Sequence, residues 1–178
     1  MASCHSFRES LERGESARNE PFWLAVYQKA FPGLVSTVRN DCRNQSAGNA
    51  AQYAGIDRWL CMSSGKVIAV DEKVRDKDYG DILLEYLSND RTNAPGWIEK
   101  DLAIDWLAYA VMPSKRCYLF PWLLLRRSWV VYGDEWKAKG ETRADGFRTV
   151  SAPNHTYNTL SVAVPLDVLR LKIGRAHV

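Results

Sequence analysis

The sequence predicts an α/β (α+β) fold in which helices flank a central mixed β-sheet. The chain has 178 residues, which is the size of one ordinary domain. Hydrophobic residues make up 46% of it and charged residues 25%, a balance that supports a folded core. Its apolar residues change repeatedly between helical spacing and strand-like alternation, which is typical of helices layered on a sheet.

The predicted elements can be placed in chain order. A helix begins at Glu20-Pro21, because proline suits a first helical position, and it ends at Pro32-Gly33. A short strand at 34–39 follows, and then a loop that turns weakly helical over 40–54. Alternating apolar residues predict a hairpin of two strands, 56–62 and 66–74. The remaining elements are a strand at 81–87, an amphipathic helix near 97–111, a strand at 116–120, a helix from Pro121, a strand at 159–164 and a short helix from Pro165.

We expect a single domain over residues 20–172. Residues 1–19 are polar and weakly patterned, which predicts a flexible lead-in. The last six residues, IGRAHV, are similar to the translated adapter of a sequencing library. Residues 173–178 are therefore interpreted as a non-native tail and excluded from the fold.

Membrane-spanning and secreted disulfide-rich proteins are excluded by the pattern. The longest apolar run, around 122–125, is far shorter than a bilayer span, and no apolar N-terminal signal is visible. Neither a CxxC nor a metal-finger spacing to histidine occurs among the cysteines, which are Cys4, Cys42, Cys61 and Cys117. We therefore expect free thiols in a reducing cytoplasm.

Charge is distributed unevenly along the chain. Residues 46–111 contain eleven acidic and seven basic residues, whereas 112–148 contain eight basic and four acidic ones. An acidic segment beside a basic one suits a metal site next to a surface for a polyanion. Chance variation of charge along a chain produces the same pattern, so this observation alone decides nothing.

The hairpin carries the residues with the clearest chemistry. A three-residue loop, Ser63-Ser64-Gly65, suits a tight connection and pairs residues whose numbers add to 128. In this register Asp57 lies opposite Asp71, and Lys73 shares their face because side chains alternate along a strand. Two facing carboxylates repel each other, which predicts a bound cation between them in addition to Lys73. A two-residue loop would instead set Asp57 against Glu72 and move Lys73 to the other face.

The residue types of this pair suit a divalent cation. Carboxylate oxygens, a backbone carbonyl and water are the ligands that Mg²⁺ prefers. Such an ion lowers the pKa of a bound water and stabilises charge on a phosphate. Lys73 would orient or help deprotonate the attacking water and offset the charge that develops on the phosphate. The residues therefore predict metal-dependent hydrolysis, with Asp57, Asp71 and Lys73 as the catalytic residues.

Asp57, thirteen intervening residues and then Asp71-Glu72-Lys73 resemble the motif of the PD-(D/E)XK nuclease superfamily. The resemblance implies a restriction-endonuclease-like core of helix, three strands, helix and strand, and hydrolysis of DNA with Mg²⁺ or Mn²⁺. Asp57 would take the place of the first acid, Asp71 of the second and Lys73 of the lysine. Asp57, Asp71 and the backbone carbonyl of Glu72 would hold the metal. Ile56 departs from the motif's proline, and the strand at 81–87 stands where the family's second helix is expected.

Further residues are secondary candidates. Some members of the superfamily add an acid from the first helix, and Glu20 is the nearest residue that could supply it. Glu85 is a further acid or a rim residue. Lys100 could contact a phosphate, and Arg126 and Arg127 could form a basic ledge for nucleic acid, edged by neighbouring tryptophans. The simpler interpretation of these basic residues is a solvated surface, with the tryptophans packed inward.

Residues 55–86 also look like part of small uncharacterised proteins of phages and mobile elements. We therefore expect an endonuclease of phage or mobile-element origin in the cytoplasm of an infected or host bacterial cell. DNA is the expected partner, and a homodimer would suit double-strand cutting. The alternative is a non-catalytic DNA-binding or defence-inhibiting, anti-CRISPR-like protein on the same fold, which would bind DNA or a host defence complex.

Overall fold

The computed structural model describes residues 20–40, 50–51 and 53–173. The predicted lead-in at 1–19, most of the predicted loop at 40–54 and residues 174–178 of the predicted tail lie outside this part of the chain. Ile173, the first residue of that predicted tail, ends the last helix and is buried.

The described residues form three α-helices, which are α1 (Glu20–Ala30), α2 (Trp122–Thr142) and α3 (Leu166–Ile173). None of these helices is both long enough and apolar enough to cross a lipid bilayer. The same residues form nine strands, which are β1 (Leu34–Arg39), β2 (Arg58–Met62), β3 (Val67–Arg75), β4 (Asp81–Asn89), β5 (Ala94–Pro95), β6 (Trp106–Val111), β7 (Arg116–Pro121), β8 (Arg148–Pro153) and β9 (Asn158–Pro165). The strands belong to two sheets, so the fold class is α+β.

The described chain divides into two compact units. One, the mixed-sheet unit, comprises the described residues up to 78 together with residues 101–123. The other, the antiparallel-sheet unit, comprises residues 79–100 and 124–173. The expectation of a single domain over 20–172 stays a prediction.

The mixed-sheet unit is built on five strands in the order β1-β2-β3-β6-β7. β3 and β6 run parallel, and every other neighbouring pair is antiparallel. On one face of this sheet, Trp23 and Tyr27 of α1 are fully buried. They pack with apolar residues of the strands, which are Leu60, Ile68, Val70, Ala108, Ala110 and Leu119. Each large apolar side chain buried here contributes about 1.5–3 kcal/mol, so this core is the main support of the hairpin β2–β3.

The antiparallel-sheet unit has four strands in the order β5-β4-β9-β8. Trp129 of α2 is buried, which confirms the predicted inward packing of this tryptophan, and Leu125 is buried beside it on the same helix. Trp136 of the same helix is also buried, and its ring centroid lies 6.5 Å from that of Phe147. Aromatic packing against one side of α2 therefore provides much of the core of this unit.

Most of the predicted elements are confirmed. The confirmed elements are α1, β1 to β4, β7, α2, β9 and α3. The helix predicted near 97–111 is wrong, because that segment contains a short 3₁₀ turn, an irregular stretch and β6. β6 lies between β3 and β7, and residues 107–111 are all buried. The sequence of a strand that is buried on both faces is a continuous apolar run. Periodicity does not distinguish such a run from a buried helix. β8 is missed by the sequence analysis because its exposed, edge-strand sequence RTVSAP has little apolar alternation.

Gly96 allows a close approach to β4 that a larger residue would prevent. A Cβ at this position would lie 2.2 Å from the backbone carbonyl oxygen of Glu85. Because backbone atoms cannot shift cheaply, Gly96→Ala should lower the free energy of unfolding by at least about 2 kcal/mol. Gly80→Ala is the control, since its Cβ meets nothing within 4 Å and only its positive φ costs about 1 kcal/mol. Urea unfolding measures both losses, and equal losses would contradict the close approach.

Candidate active site

The hairpin β2–β3 has the register that the three-residue loop predicts. Arg58 pairs with Val70 and Cys61 with Val67, so paired residue numbers add to 128. Gly65 in the loop has a φ of +83°, a left-handed conformation that glycine adopts without strain. The alternative two-residue loop is therefore wrong.

Asp57 lies one residue before β2, where the strand pairing has ended. Its N–H donates to the carbonyl oxygen of Val70 at 2.9 Å, and its carbonyl accepts a 2.8 Å bond from the Asn40 N–H. Its carboxylate accepts a 2.8 Å bond from the Glu72 N–H through Oδ2. Asp57 and Asp71 are thus not paired in the ladder itself, and the Asp57 carboxylate is instead held by the backbone next to Asp71.

Asp71 and Lys73 lie on the same face of β3, as predicted. Lys73 Nζ lies 2.6 Å from Asp71 Oδ1, and their side chains are 32% and 3% exposed. The lysine therefore reaches from the surface to a buried acid. Asp71 Oδ2 is a buried acceptor that no N–H or O–H donor among the described residues reaches when Asp71 is ionised. Leaving such an atom without a partner costs about 1–3 kcal/mol, which marks it as a position for a further ligand.

Burial dominates the electrostatics of Asp71. Its partner on the neighbouring strand β6 is the fully buried Leu107. Burial raises the pKa of Asp71 to about 7, and Lys73 acts in the opposite direction. Asp57 raises the pKa again through its charge and through a hydrogen bond in which the protonated Asp71 is the donor. The Asp57 carboxylate, which accepts a bond from the N–H of the residue after Asp71, is the acid that acts on this pKa. A positive charge placed beside Asp71 would favour its ionised form.

The opposite face of the hairpin holds a buried ion-pair cluster. Arg58 donates from Nε to Glu72 Oε1 at 2.6 Å and binds Glu20 through both terminal nitrogens, at 2.6 and 2.8 Å. Tyr27 Oη donates to the same Glu72 oxygen at 2.8 Å. Thr37 of β1 accepts a further 3.2 Å bond from Arg58. We call Glu20, Tyr27, Arg58 and Glu72 the arginine cluster.

One guanidinium in the arginine cluster faces two carboxylates. Burial raises the pKa of Glu72, and its hydrogen bond from Arg58 acts in the opposite direction. The hydrogen bond from Arg58 lowers the pKa of Glu20, whose side chain is half exposed. Removing one partner from a buried ion pair typically costs about 3–5 kcal/mol, because the other charge is left uncompensated. The cluster therefore depends on Arg58.

The structure brings together three of the predicted site residues, Asp57, Asp71 and Lys73. The Glu72 side chain points to the other face, as predicted, so only its backbone borders the acids. Glu20 also lies on that other face, and both of its carboxylate oxygens bind Arg58. The side chains of Glu20 and Glu72 are thus engaged in the arginine cluster.

The other candidates belong to the antiparallel-sheet unit. Glu85 lies on β4 opposite Ser161 of β9. Lys100 is exposed and follows the 3₁₀ turn at residues 97–99, so the helix predicted around it does not form. On α2, Arg126 donates to the carbonyl oxygen of Glu99 at 3.4 Å, and Arg127 is exposed. Their role at a nucleic-acid surface stays a prediction.

Arg58 and Tyr27 are parts of this region that the sequence pattern did not predict. A signal for Arg58 is present, because a charged residue alternates with Leu60 on the core-facing side of an apolar strand. Such a residue requires a buried partner. The partner cannot be identified locally, since Glu20 is 38 residues away and comes from a helix.

The donors around Asp71 suit a hard divalent cation. Across the described ranges, no three His, Cys, Asp or Glu side chains converge into a ready metal site. Mg²⁺ needs fewer protein ligands than that, because it retains several waters and binds one or two carboxylates. Asp57 and Asp71, with the unpartnered Oδ2 of Asp71, meet this requirement. The residues present therefore fit Mg²⁺ or Mn²⁺, and the backbone carbonyl of Glu72 stays the third predicted donor.

Comparison with family models, with curated proteins and with solved structures finds no match to this chain. The resemblance to PD-(D/E)XK nucleases stays a prediction. Function must therefore be inferred from the residues and their geometry.

Replacing Asp71 by asparagine removes the group whose pKa burial raises from 3.8 to about 7. Between these values the folded protein holds a proton that the unfolded chain releases, so rising pH destabilises the fold. In EDTA, the stability of Asp71→Asn relative to wild type should therefore increase by about 2–4 kcal/mol between about pH 4 and pH 8. Urea unfolding at both pH values measures this change.

Asp134→Asn is the control for this experiment. Asp134 is fully exposed on α2, and a hydrogen bond from Lys137 lowers its pKa. Its replacement should change the pH dependence of stability little and in the opposite direction. The reason is that wild-type Asp134, with its lowered pKa, binds fewer protons in the folded protein than in the unfolded chain. A flat difference between Asp71→Asn and wild type would contradict the raised pKa of Asp71.

Proposed function

We propose that the protein is a metal-dependent deoxyribonuclease in which Asp57 and Asp71 hold Mg²⁺ or Mn²⁺ beside Lys73. The observation that carries this proposal is the buried, unpartnered Oδ2 of Asp71 next to a second carboxyl group. Burying an acid in this state costs stability, and a bound cation would offset that cost.

The topology of the mixed-sheet unit supports the proposal. The core of the nuclease superfamily is a helix, three strands, a helix and a strand, and α1, β1, β2, β3 and β6 follow this order without the second helix. A parallel strand pair requires a crossover connection. The superfamily uses a helix there, whereas residues 76–105 of this chain make the crossover between β3 and β6 with β4, β5 and a turn.

Each side chain would have a distinct role in hydrolysis. A bound divalent cation would supply an activated water and stabilise negative charge on the phosphate. Lys73, whose side chain reaches the surface, would orient the attacking water or the phosphate and offset its developing charge. Asp57 keeps its orientation through its bond from the Glu72 N–H. Asp71 provides a carboxylate oxygen that no protein donor occupies.

DNA is the substrate that the resemblance to this superfamily implies. Arg126 and Arg127 lie in the basic part of the chain and are candidates for contact with the phosphate backbone. A homodimer would allow both strands to be cut. We place this activity in the cytoplasm of an infected or host bacterial cell.

A non-catalytic DNA-binding or defence-inhibiting protein is the second candidate. One observation favours it, since Lys73 compensates the charge of Asp71 through a 2.6 Å ion pair. In such a protein the acidic pair would be inherited rather than used. Its biological effect would then persist in Asp71→Asn.

Cleavage assays distinguish the two candidates. The purified protein is incubated with supercoiled plasmid and with single-stranded DNA, in Mg²⁺, Mn²⁺ or EDTA. We expect cutting only with metal, and a loss of at least about a hundredfold in rate for Asp71→Asn and for Lys73→Ala. Gel electrophoresis of the products measures the rates.

Lys137→Ala is the matched control, because the side chains of Lys137 and Lys73 are equally exposed. It should retain the wild-type cleavage rate. Absence of cutting in every metal, with DNA still shifted in a native gel, would contradict the nuclease and support the binding protein.

A further inference from the structure

We propose that Arg58 is a positioning residue for the acidic pair, an inference that rests on the metal site proposed above. Arg58 is the residue after Asp57, and its partner Glu72 is the residue after Asp71. Because side chains alternate along strands, the arginine cluster and the two acids occupy opposite faces at the same point of the hairpin. The guanidinium is therefore placed to control where the acids lie.

Arg58 is itself held in one orientation. It is 1% exposed, and its fork binds Glu72 through Nε and Glu20 through both terminal nitrogens. The Tyr27 ring centroid lies 5.9 Å from the guanidinium carbon. Burial lowers the pKa of Arg58, but the hydrogen bonds to Glu20 and Glu72 outweigh burial and the pKa is raised. A charged, planar side chain that makes four hydrogen bonds in this position has little freedom to move.

The connection from Arg58 to the acids runs through Glu72. On one face, Arg58 and Tyr27 bind the Glu72 carboxylate, and towards the other face the Glu72 N–H binds Asp57 Oδ2. Residue 72 is thus tied to both residues 57 and 58. These bonds hold Asp57 near Asp71 against the repulsion of their charges. Without the Arg58 fork, the Glu72 side chain keeps only its bond from Tyr27, and the position of the Asp57 carboxylate is fixed less tightly.

The same geometry gives Glu20 a role that differs from the one predicted. Both of its oxygens complete the Arg58 fork from α1, on the face opposite Asp71. Glu20 therefore acts on the acidic pair through Arg58 and is not a metal ligand. Groups that orient the ligands of a metal typically change its affinity by about 10–100-fold when they are removed.

Binding of Mn²⁺ alone, measured by electron paramagnetic resonance, tests the proposal. Arg58→Lys keeps the charge and loses the planar fork, so the Kd for Mn²⁺ should rise at least about tenfold. Glu20→Gln should raise it by about threefold or more. Circular dichroism confirms that each variant is folded. If Arg58→Lys does not fold, the Kd of Glu20→Gln for Mn²⁺ is compared with that of wild type instead.

Arg148→Lys is the matched control. Arg148, whose side chain is 38% exposed, pairs with the buried Asp81 in the antiparallel-sheet unit, so its replacement also weakens an ion pair to a buried acid. It should lower the stability of the fold and leave the Kd for Mn²⁺ within about twofold of wild type. A fall in affinity from general destabilisation would appear in this variant as well.

Hydrogen exchange gives a second readout that needs no metal. In EDTA, we expect the Glu72 amide of the wild type to be protected from exchange by its bond to Asp57 Oδ2. In Arg58→Lys and Glu20→Gln we expect it to exchange at least about ten times faster, with the amide of the buried Leu84 as the internal reference.

The outcomes separate the two proposals. If wild type binds Mn²⁺ and both variants match it in affinity and in Glu72 exchange, the positioning role of Arg58 is overturned and the metal site stands. If wild type binds no Mn²⁺, the proposed function fails and this inference fails with it.

Discussion

The buried ion pair between Arg58 and Glu72 is the interaction on which the organisation of the hairpin depends. Through one guanidinium it joins β2 and β3 to Glu20 of α1 and Thr37 of β1. Apolar packing between the helix and the sheet supplies most of the stabilising free energy, but it tolerates small shifts of the strands. A buried guanidinium does not tolerate them, because each lost bond leaves a charge without compensation. We infer that the cluster makes the position of the hairpin specific.

The buried acids on the two faces of the hairpin differ in how their charges are compensated. Burial raises the pKa of both Glu72 and Asp71. Glu72 is compensated by Arg58 and by the Tyr27 hydroxyl, whereas Asp71 has one lysine, one unpartnered oxygen and a second acid as its neighbour. Structural ion pairs resemble the first arrangement. An incomplete arrangement with a strongly raised pKa is typical of functional sites, which is why the proposed chemistry is placed on that face.

Local signals account for the parts of the fold that the sequence predicts correctly. The start of α1 follows from Glu20-Pro21, and the register of the hairpin follows from a three-residue loop that ends in glycine. β6 was not predicted correctly, because its start is set by bonds to a residue that is distant in the sequence. Asp105 exchanges backbone and side-chain bonds of 2.8 Å with Ala69 of β3. No periodicity within residues 97–111 contains that information, and the helical interpretation of the segment fails for this reason.

For the candidate site, alternation along β3 and the loop length alone placed Asp71 and Lys73 on one face and the Glu72 side chain on the other. These are properties of neighbouring residues, and the sequence determines them. The tertiary structure decided how deeply Asp71 is buried, how Asp57 is held by the Glu72 N–H, and that Glu20 binds Arg58. Each of these depends on elements that meet only when the chain folds. Burial and partnership are set by packing between distant segments, and the pattern of a single strand does not encode them.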